Sequence, residues 1–293
     1  MNRAEVESSY REIQQRFCSA MESLDSQSTF GFDEWERTGG GGGLTRVLTG
    51  EGPLEKAAVN FSAVAGETPP HLTERLAVES GDFYATGVSI IVHPRNPHAP
   101  TFHANLRYFE TDTGTAWFGG GTDLTPYYLY EEDARHFHGV IKRSCDAHEV
   151  ADYRAWKRAC DEYFYLPHRG EARGVGGVFF DHLTDDLEAV WACQVELGDN
   201  LIEAYLPILE RRVETAFGEA ERRWHEIRRG RYAEFNLVWD RGTRFGLETA
   251  GRTESILASL PPTARWEYLH QPEPGSPERA LLEVLRSPPR DWV

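Results

Sequence analysis

The sequence predicts an α+β fold, a mixed or antiparallel β-sheet covered by helices, and two observations support this prediction. Strand-like segments come in one block in the first half of the chain, and a block of helical segments follows them. A doubly wound parallel sheet would instead need strands and helices that alternate along the chain. No internal repeat or linker divides the sequence, so we expect one domain over residues 1–293.

The composition points to an intracellular protein with a packed core. The 293 residues are 40% hydrophobic and 12% aromatic, which excludes global disorder. The longest apolar stretch, residues 87–92, is too short to span a bilayer, and no hydrophobic signal core precedes it, so we expect a cytoplasmic protein without a membrane span. A formal charge of −16 argues against a nucleic-acid partner. The four cysteines match no zinc module and are expected to be reduced thiols, namely Cys18, Cys145, Cys160 and Cys193.

The first half of the chain is predicted to form one helix followed by strands. Apolar side chains between Val6 and Leu24 recur at spacings of three and four residues, which predicts a helix with one apolar stripe. The glycines at 39–43 lack the ending of a phosphate-binding loop and predict a flexible loop or tight turn. Strand-like patterns follow at 44–48, 57–64, 83–93, 102–110 and 115–118, the last ending in the glycines at 119–121.

The second half is predicted to be mainly helical. Helical patterns cover 131–146, 152–165 and 185–217, and Pro207 is expected to kink or split the last of them. Strand-like stretches at 174–181 and 232–239 interrupt the helices. Thr253 opens a short helix that two prolines stop, and residues 278–285 form a final helix.

Polar side chains follow one another at every second position of a predicted strand. Because side chains on a strand alternate, His103, Asn105 and Arg107 share one face, and the apolar residues between them share the other. Ser89 and His93 share a face of the preceding strand in the same way. If the two strands are neighbours, they present these five groups to a common cleft. The alternative is that the polar face simply meets solvent.

Three further segments carry charged residues near the ends of predicted strands and helices. Asp123 follows a triple glycine that lets a backbone approach a ligand closely, and the alternative for it is an Asx turn. Asp240 and Arg241 are adjacent at a predicted strand end and therefore point to opposite faces. Arg252 precedes a helix start, where it and the helix N-terminus attract a carboxylate, unless it is an ordinary surface residue.

The histidines and a run of arginines each allow two interpretations. His136 and His138 are two positions apart on a predicted helix and therefore do not face the same side. One of them, together with histidines elsewhere, could ligate an ion, but without a local motif a structural or catalytic role is favoured. The arginines at 222–231 predict a solvated helix face with interleaved glutamates, with a subunit contact as the alternative.

Six motifs of this sequence resemble those of the oxygen-dependent coproporphyrinogen-III oxidases, a family of the haem pathway. They are GVSIIVHPRNP, PTFHANLRYFE, WFGGGTDLTP, YFYLPHRGEARGVGGVFFD, RRGRYAEFNLVWDRGTRFGLETAGRTESILASLPP and RDWV. The resemblance extends from about residue 31 to residue 293. It implies a single large, mostly antiparallel sheet flanked by α-helices on both faces, and a homodimer.

The resemblance also implies an activity. The family oxidatively decarboxylates two propionates of coproporphyrinogen III to vinyl groups, giving protoporphyrinogen IX, CO2 and H2O2. Molecular oxygen is the co-substrate, and no organic cofactor is implied.

Particular residues match functional positions of the family. The proton donor corresponds to His103, and the other catalytic positions correspond to Asp123, Asp240 and Arg241. The substrate contacts correspond to Ser89, Asn105, Leu106, Arg107, Ala250, Gly251 and Arg252, with Ala250 in place of the usual glycine. Positions assigned to a divalent metal in bacterial members correspond to His93, His103, His138 and His168. Residues 232–268 match a segment linked with dimerisation.

These residue types suit the implied chemistry. Arg107, Arg241 or Arg252 can pair with the substrate propionates, and each such contact is worth about 1.5–3 kcal/mol. A buried Asp123 or Asp240 can accept pyrrole N–H groups, and our hypothesis is that it helps to deprotonate a pyrrole. The electron-rich ring then reacts with O2 directly. Two alternatives belong to other classes, namely an oxygenase whose histidines hold a redox metal and a tetrapyrrole carrier without activity.

Overall fold

A seven-stranded antiparallel sheet forms the centre of the protein. The computed structural model describes residues 1–25, 27–68, 73, 81–248 and 251–293. The strands pair in the order β1-β2-β3-β4-β5-β6-β9, so the first six follow the chain and β9 joins the far side of β6. Their bounds are β1 (Asp33–Glu36), β2 (Gly41–Thr49), β3 (Leu54–Glu67), β4 (Asp82–Pro94), β5 (Thr101–Thr111), β6 (Ala116–Thr125) and β9 (Gly176–Leu183). A separate two-stranded ribbon consists of β7 (Tyr165–Leu166) and β8 (Glu171–Ala172).

Helices pack on both faces of the sheet, which confirms the α+β fold. Side chains of Asn2, Asp152, Asp186 and Ser276 cap four of them by accepting a hydrogen bond from a backbone N–H of the first turn. The helices are α1 (Arg3–Leu24), α2 (Glu131–Asp146), α3 (Tyr153–Tyr163), α4 (Leu187–Arg212), α5 (Glu219–Glu234), α6 (Arg241–Glu248), α7 (Thr253–Leu257) and α8 (Pro277–Leu285). A π-helix, Phe235–Trp239, joins α5 to α6. No helix in the described part of the chain is both long and apolar enough to cross a bilayer.

The main core lies between one face of the sheet and helices α1, α2 and α4. Phe102 of β5 stacks on Phe17 of α1 and on Tyr205 of α4, with ring centres 5.6 Å and 4.6 Å apart. Phe102, Ala104, Leu106 and Tyr108 are all buried there, as the alternation of β5 predicts. We call this the core face.

The opposite face of the sheet is covered only in part, and we call it the cleft face. Ala58 and Ile91 on this face pack against Tyr232 of α5 and against Ala258, which follows α7. Towards the middle of β5 and β6 this face carries the half-buried side chains of His103, Asn105 and Arg107 and the glycines Gly119 and Gly121, which have no side chain. The covering helices therefore leave a cleft above the middle strands.

One predicted strand is wrong, because residues 232–239 continue α5 and then form the π-helix. Tyr232, Phe235 and Asn236 are buried while the three residues after them are exposed, so burial follows a helical rather than a strand period. The aromatic composition of this stretch predicts a strand, but packing against the sheet and Arg173 decides the outcome.

The glycine clusters are also placed differently from their prediction. Gly119, Gly120 and Gly121 lie inside β6 rather than at its end, and the sequence 41–43 lies inside β2. A turn remains just before β2, where Gly40 and Gly41 have positive φ angles of 111° and 80°.

Two smaller predictions of the second half fail. Pro207 was expected to kink or split helix α4, and the helix runs uninterrupted through it, so it is not split there. The solvated arginine face is also wrong in part, because Arg228 and Arg229 are buried in ion pairs with Glu171 and Glu55. The other predicted helices and strands agree with the observed ones to within a few residues, except that β6 extends to Thr125, whereas β1, β7, β8 and α6 were not predicted.

Candidate active site

The sheet register brings the predicted polar residues together on the cleft face. Ser89 of β4 is the direct partner of Asn105 of β5, and His103 of β5 is the direct partner of Asp123 of β6. This confirms that His103, Asn105 and Arg107 share a face with Ser89. Leu106 points the other way into the main core, so its side chain takes no part in the cleft.

His103 is held by a buried carboxylate. Its Nδ1 lies 2.8 Å from Asp123 Oδ1, and Asp123 is 2% exposed whereas the His103 side chain is 24% exposed. No atom in the described ranges forms a hydrogen bond with His103 Nε2. The carboxylate therefore fixes the ring and leaves Nε2 directed to the cleft.

Arg173 neutralises Asp123 and was missed by the sequence analysis. Its Nη2 donates to both oxygens of Asp123, at 2.8 Å and 2.7 Å, and its Nη1 donates to Asn236 Oδ1 at 3.0 Å. The guanidinium carbon lies 4.0 Å from the ring centre of Phe164 and 4.6 Å from that of Tyr232. Burial alone would raise the pKa of Asp123, but Arg173 and His103 together lower it below its usual value, so the carboxyl stays ionised.

Arg107 is the second charged group of the cleft, and Asp181 is its partner. Arg107 Nη1 donates to Asn105 Oδ1 at 2.9 Å, and Nη2 lies 3.0 Å from Asp181 Oδ1. The Arg107 and Asp181 side chains are 31% and 23% exposed, so the pair borders the open part of the cleft. Asp181 is the last residue of the strand predicted at 174–181. The sequence indicated no role for its side chain.

Phe179 of β9 lies between two arginines. The guanidinium carbons of Arg107 and Arg241 lie 5.8 Å and 5.6 Å from the centre of the Phe179 ring. Tyr163 at the end of α3 stacks on the same ring, with centres 4.4 Å apart. Two guanidinium groups are thus placed around one aromatic ring at the side of the cleft.

Asp240 and Arg241 occupy a helix start rather than the predicted strand end. Asp240 Oδ2 accepts hydrogen bonds from the backbone N–H and the hydroxyl of Thr243, at 2.7 Å and 2.8 Å, and so caps α6. Asp240 Oδ1 accepts from the Tyr163 hydroxyl at 2.8 Å, and that hydroxyl accepts from the backbone N–H of Arg241 at 3.1 Å. Tyr163, which the sequence analysis did not single out, therefore fixes both residues against α3.

The segment expected to bind substrate near α7 is described only in part. Ala250 lies outside the described residues. Gly251 donates its N–H to Gly246 O at 2.8 Å, and a Cβ at Gly251 would come within 2.7 Å of that oxygen, so this position favours glycine. Arg252 precedes α7 as predicted, and its guanidinium pairs with Asp33 of β1.

The four histidines expected to bind a metal do not come together. His93 lies between Thr101 Oγ1 and Ser259 O, and His138 lies in the main core between the Tyr153 hydroxyl and Val175 O. His168 bonds with Glu234 and accepts from Trp239.

Burial lowers the pKa of His93 well below its usual value and that of His138 to about 3, so both rings are neutral. In the part of the chain that the structure describes, no three His, Cys, Asp or Glu side chains form a group that could hold an ion. The donor set therefore does not fit a metal.

Comparison with known proteins agrees with the sequence motifs. A family model described as coproporphyrinogen III oxidase matches residues 5–292. The chain is 49% identical to the oxygen-dependent coproporphyrinogen-III oxidase, chloroplastic, of Glycine max, over 99% of this chain and 80% of that protein. It is 46% identical to coproporphyrinogen-III oxidase 1, chloroplastic, of Arabidopsis thaliana, over 99% of this chain and 79% of that protein. It is 47% identical to the corresponding chloroplastic oxidase of Nicotiana tabacum, over 99% of this chain and 77% of that protein.

The family model covers almost all of the chain, and the three relatives are 46–49% identical to it over nearly its full length. The chain therefore belongs to the coproporphyrinogen III oxidase family.

Proposed function

We propose that this protein is an oxygen-dependent coproporphyrinogen-III oxidase that converts coproporphyrinogen III to protoporphyrinogen IX in haem biosynthesis. The observation that carries the proposal is the cleft face, where the oriented, partly exposed ring of His103 shares a strand face with Arg107, and Arg241 contacts the same Phe179 ring as Arg107. A cationic surface of this kind suits a substrate with four propionates, although the protein as a whole carries a charge of −16. The relatives named for this activity support the same conclusion.

Arg107 and Arg241 are the proposed propionate ligands of the cleft. Both guanidiniums are partly exposed beside Phe179, and each can bind one carboxylate through paired N–H donors. Arg252 is proposed as a further ligand once it exchanges Asp33 for a substrate carboxylate. Ser89 and Asn105 line the floor between these groups and offer hydrogen bonds to the macrocycle.

His103 supplies the proton that the reaction requires. Each propionate loses CO2 and the equivalent of a hydride when it becomes a vinyl group, and O2 accepts that hydride equivalent. One proton is then needed to complete H2O2. His103 Nε2 faces the cleft while Nδ1 is bound to Asp123, which suits transfer of a proton at Nε2.

Asp123 is better suited to orienting His103 than to binding a pyrrole. Both of its oxygens already accept hydrogen bonds, and it is almost completely buried. Asp240 likewise has both oxygens engaged, by Tyr163 and by Thr243. We therefore assign the two carboxylates to positioning, and this replaces the hypothesis that one of them deprotonates a pyrrole.

The remaining properties of the protein are proposed on the same basis. The electron-rich porphyrinogen reacts with O2 itself, so no organic cofactor is needed. We further propose that residues 1–293 form one catalytic domain and that the protein is a cytoplasmic homodimer. The exposed apolar side chains between Leu237 and Leu269 support the homodimer.

Product formation under controlled oxygen tests the proposed function. Purified protein is given coproporphyrinogen III in air, under argon, and in air with EDTA, and porphyrin fluorescence is read after mild oxidation. We expect protoporphyrin in air, none under argon, and undiminished product with EDTA. Loss of product with EDTA that one ion restores would favour a metal-dependent oxygenase. Binding without product under any condition would leave a tetrapyrrole carrier.

A further inference from the structure

Asp181 places a negative charge in a cleft that we propose binds carboxylates. Asp181 lies in β9 on the cleft face, two positions after Phe179, and it is beside Arg107. Because the pair is partly exposed, Asp181 acts both on Arg107 and on any substrate group that approaches Arg107. It weakens the attraction of this corner of the cleft for anions.

The strand between the two partners has no side chain where they meet. Arg107 is on β5 and Asp181 is on β9, and Gly119 of β6 lies between them as the direct partner of Arg107. A Cβ at Gly119 would come within 2.6 Å of Asp181 Oδ1 and 2.8 Å of Arg107 Nε. The ion pair across β6 therefore depends on glycine at this position.

We propose that Asp181 is a specificity-determining residue that limits Arg107 to a single substrate carboxylate. This inference rests on the proposed function. Each pyrrole of coproporphyrinogen III carries a methyl group beside its propionate. When the propionate binds Arg107, a methyl group can lie beside Asp181 without penalty. A carboxymethyl group in that place would meet the Asp181 carboxylate and be repelled, so the cleft discriminates by repulsion as well as by attraction.

Asp181 also has a positioning function towards Arg107. Asn105 binds Nη1 and Asp181 lies beside Nη2, so the two side chains hold the guanidinium from two directions. The donors that remain point to the cleft and can take one carboxylate. The contact between Asp181 and Arg107 thus both orients the guanidinium and selects against a second carboxylate.

Competition between two porphyrinogens tests the proposal. The octacarboxylate porphyrinogen, which has acetate groups in place of the ring methyls, is used as an inhibitor of turnover of the tetracarboxylate substrate. In Asp181→Asn the amide oxygen can still accept from Arg107 while the charge is removed. We expect the inhibition constant of the octacarboxylate to fall about tenfold, or about 1.4 kcal/mol. KM for the tetracarboxylate should fall by a clearly smaller factor, because only its propionate approaches Asp181.

Two further variants separate charge from position. Asp185→Asn removes the same charge from an exposed residue four positions away and should leave both constants unchanged. Gly119→Ala keeps every charge but pushes Arg107 and Asp181 apart, so KM for the tetracarboxylate should rise about tenfold. Gly139→Ala is its control, because a Cβ there meets nothing closer than Val293 at 3.9 Å.

Different results would refute the specificity role of Asp181 and the proposed oxidase activity. Equal inhibition of wild type and Asp181→Asn by the octacarboxylate would overturn the inference, and so would an equal shift in Asp185→Asn. An unchanged KM in Gly119→Ala would remove the positioning role. Absence of vinyl product from the wild-type protein would instead refute the proposed function, whatever the inhibition constants show.

Discussion

His103 divides orientation and reactivity between its two ring nitrogens. The contact with Asp123 fixes Nδ1, and the partly exposed ring leaves Nε2 available to a ligand. Strand alternation predicted the face of His103 from the sequence, since that argument needs only local spacing. It could not predict Arg173, because the partner of Asp123 lies 50 residues further along the chain.

Replacing His103 with Gln tests its role as proton donor. We expect kcat to fall about 10²–10⁴-fold, because a positioned proton donor is lost, while KM changes little. Initial rates are measured by protoporphyrin fluorescence. His136→Gln on α2 is the control, since that ring pairs with the backbone of Glu203 away from the cleft. More than a tenth of wild-type kcat in His103→Gln would argue against this role.

Replacing Arg173 with Met tests how strongly the buried ion pair is coupled. The change leaves the Asp123 carboxylate buried without its counter-charge, so unfolding should become easier by about 3–5 kcal/mol. Adding Asp123→Asn to the same protein should restore part of that loss, because the unpaired charge is gone. Urea unfolding of both single variants and the double variant provides the measurement. Purely additive effects would contradict the coupling.

At the scale of elements, the junction between α5 and α6 controls much of the site. The π-helix lies between Glu234 and Asp240, and contacts from elsewhere hold both ends. The sequence predicted a strand here because aromatic and β-branched residues favour one. It could not reveal that Arg173 packs against Tyr232 and Phe235, which are successive turns of a helix rather than one face of a strand.

Tyr163→Phe tests whether this junction places Arg241 for its role. The change removes the hydrogen bond to Asp240 Oδ1 and the acceptor of the Arg241 N–H. We expect kcat/KM to fall about tenfold, while the free energy of unfolding decreases by about 0.5–1.5 kcal/mol. Tyr165→Phe on the exposed ribbon is the matched control. Wild-type kcat/KM in Tyr163→Phe would show that the junction does not depend on this contact.

Glu234 makes the stability of the junction depend on pH. Burial raises the pKa of Glu234, but hydrogen bonds from Arg169 and His168 outweigh it and lower the pKa from 4.5 to about 2. A carboxyl whose folded pKa is lowered stabilises the fold above its unfolded pKa. This contribution should be complete above about pH 4.5 and disappear as the pH falls towards 2.

The urea midpoint of the wild-type protein should therefore rise with pH across that window, and Glu234→Gln should show a shallower rise. The comparison isolates one carboxyl because every other acid is present in both proteins. Parallel pH curves would mean that Glu234 contributes nothing to the pH dependence.

At the scale of the whole molecule, exposed apolar side chains are concentrated in one stretch of the chain. Seven of the twelve large apolar side chains that are exposed among the described residues lie between Leu237 and Leu269. Such concentration marks a contact surface more often than a solvent-facing one. The segment that the family resemblance links with dimerisation, residues 232–268, covers nearly the same stretch, but its exposure could not be predicted, because residues 232–239 were expected to form a strand.

Sedimentation velocity tests the proposed homodimer. We expect the wild-type protein to sediment as a dimer, and a variant with Leu237→Asp and Val238→Asp to sediment as a monomer. Both side chains are about half exposed, so the charges should leave the unfolding midpoint of the monomer unaffected. Phe217→Asp, at an exposed site outside this stretch, is the control. A monomeric wild-type protein would refute the homodimer.

The order of the strands has a consequence for the time course of folding. Strands β1 to β6 pair in chain order, whereas β9 reaches β6 only after α2 and α3 have been traversed. Contacts between near neighbours in the chain form sooner than distant ones. His103 and Asp123 belong to one hairpin and meet early, while Arg173, Phe179 and Asp181 arrive with β9. During folding, the Asp123 carboxylate is therefore expected to stay hydrated until Arg173 pairs with it and offsets the cost of its burial. We expect docking of β9 to be the step that completes the enzyme.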